Sequence, residues 1–157
     1  ICRSPRSYNS QLGVPLSVWQ LHKAHTLGIF EAGISAPGEM ELLQPIIQPT
    51  LGIFTNLGAA HDEGFSSRQA KLTEKWKLVG STKQVICHTD DELIHAAAKS
   101  IGQRAISWGT RADAQYQITQ QLIHNNTTEI GLQTPAENMA FTLPFTDAAS
   151  VENALHA

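Results

Sequence analysis

The segment from Leu51 to Leu78 sets the tightest limits on what this chain can fold into. Leu51 to Phe54 is an apolar run between Pro49 and Gly58, short and punctuated, and predicts a buried strand rather than a helix. A polar loop follows, Ala59-Ala60-His61-Asp62-Glu63. Beyond it the spacing predicts a helix with Ser66 or Ser67 as N-cap and Leu72, Trp76 and Val79 on one face. Lys71 and Lys75 lie on another stripe of that helix. Strand, polar loop and helix in that order is how open α/β sheets present ligands beyond the carboxyl ends of their strands. The loop is the first place to look for chemistry.

The rest of the chain extends this pattern. Ile1 to Asn9 reads as the end of a strand entering a loop, and Leu16 to Lys23 as a helix after Pro15. Thr26 to Phe30 is a second apolar run, ending at Glu31. Pro37 with Glu39 and Glu41 marks a helix start, which Pro45 should kink or shorten. Gln84 to Cys87 and Ala105 to Trp108 predict strands on either side of a helix capped by Thr89-Asp90-Asp91-Glu92. After Gly109 the apolar period falls to two, at Tyr116, Ile118 and Leu122, then Thr128, Ile130 and Leu132, then Met139, Phe141 and Leu143. That alternation predicts an antiparallel β meander. Thr146 or Asp147 should cap a last helix from Ala148. The expected fold class is α/β, a mostly parallel open sheet flanked by helices with the meander added at one side.

Length and charge narrow the function. One domain spanning 1–157 is the natural expectation, and a net charge of −3 argues against a nucleic-acid surface. Cys2 and Cys87 carry no CxxC spacing and suit a reducing compartment. No apolar run has the length needed to span a bilayer, and a cytoplasmic protein is expected. Starting at Ile1 and closing on an unfinished helix, the chain reads as a piece of something longer.

Candidate residues gather at strand ends. If Glu31 and His61 both follow strands of one parallel sheet, they share its carboxyl edge and could hold a divalent cation. Taken singly, Glu31 is more often a cap or ion-pair partner, His61 a hydrogen-bonded loop residue, and Lys75 a solvated helix lysine. No Gly-Lys pair occurs, so these residues contain no phosphate-binding P-loop.

Several motifs in order change these odds. Phe30-Glu31-Ala32-Gly33, Pro37-Gly38-Glu39, Thr55-Asn56-Leu57-Gly58-Ala59-Ala60-His61-Asp62-Glu63-Gly64-Phe65 and Lys75, fourteen residues after His61, together resemble the central ATPase domain of the Mur ligases. Tyr8-Asn9-Ser10, Gly13-Val14-Pro15-Leu16 and the closing Ser150-Val151-Glu152-Asn153-Ala154-Leu155 resemble the type that adds D-alanyl-D-alanine to UDP-N-acetylmuramoyl tripeptide. The wording of Glu31-Ala32-Gly33-Ile34-Ser35 is similar to versions fused to an alanine racemase.

The resemblance implies an ATP-dependent amide ligase of peptidoglycan precursor synthesis, working through an acyl phosphate with ATP and Mg²⁺. It places metal ligands on Glu31, His61 and a carbamylated Lys75, with His61 and Lys75 also catalytic. A lysine of this kind must be neutral before it takes up CO₂, which calls for burial or a cationic neighbour. Asn153 is the implied nucleotide contact, since Ala149-Ser150 stand where the family's helix opens with His-Asn. Asn9 and Ser10 are the implied substrate contacts. Implied partners are the UDP-linked tripeptide and D-alanyl-D-alanine. A P-loop unit is expected before Ile1 and a further ligase domain after Ala157. The piece alone is expected to be inactive, and to self-associate through a sheet edge left open without the P-loop unit. The rival readings are another Mur or folylpolyglutamate-type ligase, and a non-catalytic binding domain that lost its nucleotide site.

Overall fold

A computed structural model describes residues 1–58 and 62–157. The elements in chain order are β1 (Cys2–Arg3), α1 (Gly13–Val18), β2 (Gly28–Ile29), α2 (Glu39–Ile47), β3 (Leu51–Phe54), α3 (Arg68–Val79) and β4 (Gln84–His88). They continue as α4 (Glu92–Ile101), β5 (Ala105–Gly109), β6 (Tyr116–His124), β7 (Thr127–Gln133), β8 (Asn138–Leu143) and α5 (Ala148–His156). The chain divides into two compact units, 1–50 with 57–82, and 51–56 with 83–157.

The second unit holds one six-stranded sheet in the order β3-β4-β5-β6-β7-β8. β3 to β6 run parallel, with Ile53 opposite Ile86 and Ile86 opposite Ile106. β6, β7 and β8 are antiparallel, as the alternation predicts, with Ile130 opposite both Gln121 and Phe141. Val85, Cys87, Ile94, Ala98, Trp108, Ile130 and Val151 are buried there. The helix starts fall where cap chemistry puts them. Asp91 accepts from the Leu93 and Ile94 amides, and Asp147 from that of Ser150. β3 departs from expectation in one respect. Its burial alternates, with Gly52 and Phe54 inside while Leu51 and Ile53 are each 47% exposed. It is an edge strand whose only described ladder runs to β4.

In the first unit, β1 and β2 form a two-stranded parallel sheet, Cys2 opposite Gly28. Glu31 therefore follows a strand that does not belong to the sheet of β3. An apolar cluster of Val14, Ile34, Met40 and Leu43, joined by Val18, Ala32, Ile47, Phe65 and Leu78, packs α1, α2 and α3 together. α1 begins and ends earlier than expected. The Ser10 hydroxyl and carbonyl accept from the Gly13 and Val14 amides, so the helix starts before Pro15. It closes where the Gln20 and Leu21 amides turn back to Ser17 and Val18. α2 runs on past Pro45 to Ile47, and Gln48 in a left-handed conformation ends it by donating to the Gln44 carbonyl at 2.8 Å.

A buried carboxylate joins α3 to α2. Glu74 is 4% exposed, accepts from the Met40 amide at 2.9 Å, and pairs with Lys77 at 2.8 Å. Lys77 in turn reaches Glu41. Burial pushes the Glu74 carboxyl up, but the Lys77 ammonium and the Gly38 and Met40 amides outweigh it and hold its pKa below the ordinary value. A depressed carboxylate contributes stability that is present above its unfolded pKa and lost as pH falls through the folded one. Glu74→Gln is expected to cost about 2 kcal/mol at neutral pH, the worth of a charged hydrogen bond. Urea unfolding at neutral and acid pH measures this, and the gap between variant and parent should close in acid.

Candidate functional site

The site grows from the loop ahead of α3. A tight turn from Asp62 to Gly64 leads to Ser67, whose hydroxyl accepts from the Ala70 amide at 3.1 Å and starts the helix. Gly64 is needed because a Cβ there would strike the Ser35 carbonyl oxygen. Phe65 joins Ala32 and Ile34 in the apolar cluster. The Asp62–Phe65 turn and the loop that starts at Glu31 therefore adjoin. His61, expected as both metal ligand and catalytic group, lies outside the described residues.

On α3 the polar stripe is not solvated. Lys71 is 2% exposed, and its Nζ donates to the Gly58 carbonyl at 2.9 Å and to Asp62 Oδ1 at 2.6 Å. Lys75, one turn further on, is half-buried. Burial, and then the neighbouring Lys71 ammonium, lower its pKa below that of an ordinary lysine, with Asp62 opposing. Lys71 and Asp62 went unassigned at the level of sequence, yet a signal was present. Like charges four apart on a helix repel mildly, so an anion beside one of two such lysines is favoured.

Glu31 is exposed just past β2, and its position is fixed from two sides. Asn9 Nδ2 donates to Glu31 Oε1 at 2.7 Å, and the Glu31 amide donates to Ser4 Oγ at 3.3 Å. The Asn9 carbonyl also accepts from Gly33 at 2.8 Å. Asn9, expected at the substrate, is thus an orienting partner of Glu31. Ser10 spends its hydroxyl on opening α1.

Asn153 lies in the other unit, exposed on α5. The helix around it is anchored at the carboxyl edge of the sheet. Trp108 Nε1 donates to His156 Nδ1 at 3.1 Å, and His88 stacks on Trp108 at 4.1 Å while facing Glu152 at 3.7 Å. Asp90 closes that edge by accepting from the Thr110 amide and hydroxyl at 2.8 and 2.9 Å. The described contacts thus gather Lys71, Lys75 and Asp62, and separately Asn9 with Glu31.

The profile described as Mur ligase middle domain matches residues 2–157. The UDP-N-acetylmuramoyl-tripeptide--D-alanyl-D-alanine ligase of Buchnera aphidicola is 28% identical over 155 residues, 95% of this chain and 34% of that protein. Its counterpart in Borreliella burgdorferi is 38% identical over 77 residues, 49% of this chain and 17% of that protein. The chain spans about a third of the length of such curated relatives, or less. Among solved structures, MurF from Acinetobacter baumannii aligns with a TM-score of 0.83 at 22% identity, covering 99% of this chain and 35% of that one. MurF ligase from Thermotoga maritima in complex with ADP aligns at 0.78 and 19% identity, covering 97% and 36%. At these identities the structures speak for the fold, and they bear out the α/β expectation. With residues 2–157 matched, the chain belongs to the Mur ligase family, as a middle domain.

Proposed function

We propose that this chain is the nucleotide- and metal-binding middle part of an ATP-dependent ligase that joins D-alanyl-D-alanine to UDP-N-acetylmuramoyl tripeptide. The observation that carries the reading is Lys75, made less basic by burial and by Lys71 at the position where the family carbamylates a lysine. The names of the relatives supply the substrates. On this reading both compact units are parts of one domain of a longer cytoplasmic enzyme, one to which an alanine racemase is attached. Among the described residues no helix is long and apolar enough to cross a membrane.

The donor set suits Mg²⁺, a hard cation that takes oxygen ligands. Glu31 offers an exposed carboxylate already oriented by Asn9. Lys75 as an ammonium would repel the ion, whereas its carbamate adds two anionic oxygens. No group of three His, Cys, Asp or Glu side chains among the described residues could hold a metal by itself. The carbamate and His61 complete the set in this proposal. Mg²⁺, when bound, supplies neutralisation of the phosphate charge during transfer of the γ-phosphoryl group to the tripeptide carboxylate. Asn9 keeps Glu31 in place, Lys71 and burial keep the Lys75 amine ready for CO₂, and Asn153 on α5 is the proposed nucleotide contact.

The test is phosphate release from ATP by the full-length protein. Release should require Mg²⁺, the UDP-linked tripeptide and D-alanyl-D-alanine together. Residues 1–157 alone should release none, because backbone amides and a lysine of a P-loop are needed to hold the phosphates and these residues carry no Gly-Lys pair. The same short piece should self-associate through β3, whose place at the end of the described sheet and exposed Leu51 and Ile53 invite strand pairing. Light scattering reads that. A full-length protein that binds ATP without ever consuming it in the presence of both substrates would overturn the ligase reading.

A further inference from the structure

Lys71 has no place in the proposed ligand set, yet among the described residues it is the largest of the fully buried side chains. Lysine is almost never buried so completely unless it is paired. Taking an ammonium out of water carries a desolvation cost that only close, well-formed charge and hydrogen-bond contacts repay, and an apolar residue of similar volume avoids that cost. Packing alone therefore gives no reason for a lysine here. Its two bonds do. One goes to the Gly58 carbonyl at 2.9 Å and the other to Asp62 Oδ1 at 2.6 Å. Gly58 and Asp62 stand on either side of residues 59–61, and the turn beyond is closed by the Phe65 amide donating to the Asp62 carbonyl at 3.1 Å. Phe65 is then held in the apolar cluster with Ile34 and Met40.

We propose that Lys71 is a positioning residue, whose ammonium clamps Gly58 and Asp62 against the helix that carries Lys75. The inference rests on the reading of Lys75 and His61 as ligands of one Mg²⁺ site. Its physical basis is that ligands carried on a loop and on a helix share a metal only if the two hold one spacing. Misplacement by about 1 Å can cost roughly a hundredfold in rate. Both arms start from one buried donor, the first ending on the Gly58 carbonyl and the second on an Asp62 carboxylate that is half in water.

The test uses the full-length protein with Lys71→Met, which keeps the bulk and removes the clamp, and Asp62→Asn, which weakens one arm without touching the buried position. Hydrogen exchange of the ligand-free protein is read over residues 57–65. Steady-state turnover is read against Mg²⁺, ATP and D-alanyl-D-alanine. Exchange in 57–65 should quicken about tenfold or more in Lys71→Met while α4 and α5 are unaltered. The Mg²⁺ activation constant should rise about ten- to a hundredfold, as it does when a ligand loses its support, with the KM for D-alanyl-D-alanine unchanged. Asp62→Asn should shift both readouts the same way, and the double variant should be no worse than Lys71→Met alone. Unchanged exchange in both single variants would overturn the clamp. Faster exchange with an unaltered Mg²⁺ requirement would overturn the positioning role and leave Lys71 as a fold residue. Should Lys71→Met fail to fold, Asp62→Asn decides by the same two readouts. Absence of Mg²⁺-dependent turnover in the unmodified protein would sink the ligase reading instead, and the exchange result would then judge the clamp by itself.

Discussion

Lys75→Ala in the full-length protein is expected to lower substrate-dependent phosphate release on the order of a hundred- to a thousandfold, the loss that follows removal of one preorganised electrostatic group from a reacting centre. Small carboxylic acids should restore part of the activity, because they can fill the vacated anionic position beside the metal. The half-buried setting of Lys75 gives this prediction its sign in pH. Burial and the Lys71 ammonium lower its pKa from the ordinary value, so the neutral amine is populated at lower pH than in a free lysine. Carbamate formation needs that neutral amine. Activity should therefore fall as pH is lowered, and added bicarbonate should oppose the fall. Near-parental turnover in Lys75→Ala, with no response to carboxylic acids, would remove the carbamate from the mechanism.

Glu31→Ala is expected to show the second largest effect, a loss of roughly a hundredfold in turnover at fixed Mg²⁺ that excess Mg²⁺ partly recovers. Asn9→Ala should follow it at about a tenth of that severity, since Asn9 acts by holding Glu31 Oε1 at 2.7 Å. The two readings of Asn9 separate cleanly in this experiment. As an orienting partner of Glu31, its loss raises the Mg²⁺ requirement and leaves the KM for the tripeptide alone. As a substrate contact, its loss raises that KM and leaves the Mg²⁺ requirement alone. The hydrogen bond to Glu31 favours the first.

Much of the fold is legible in the order of residues because its causes are local. Ser67, Asp91 and Asp147 cap helices with their own side chains, within three residues of the amides they bind. The meander of β6, β7 and β8 follows from alternation and from turns between adjacent strands. The misreadings have mixed causes, a local signal passed over at α1 and a long-range pairing at β2. α1 begins early because Ser10 opens it, and β2 is only Gly28–Ile29 because its length is set by the two residues of β1 that pair with it. Pro45 lies inside α2, which runs two residues past it and closes where the Gln48 amide donates to the Gln44 carbonyl.

The candidate site divides in the same way. Which residue types stand where was open to inspection: a carboxylate after an apolar run at Glu31, a histidine in the loop at 61, a lysine on the following helix at 75. The amino-acid order by itself determines this inventory, the helix that carries Lys75 and the spacing between the motifs. It does not determine what surrounds them. A helical wheel places Lys71 and Glu74 on a polar stripe, and a polar stripe reads as solvated. Both are buried because partners arrive from elsewhere in the chain, Asp62 and Gly58 for Lys71, Met40 for Glu74. Likewise Asn9 meets Glu31 from 22 residues away. Charge state, burial and ligand orientation depend on distances between groups far apart along the chain, and those distances exist only once the apolar cluster of α1, α2 and α3 has closed. The sequence names the groups, and only the tertiary structure decides that Lys75 sits beside a buried ammonium and that Glu31 is held by an amide.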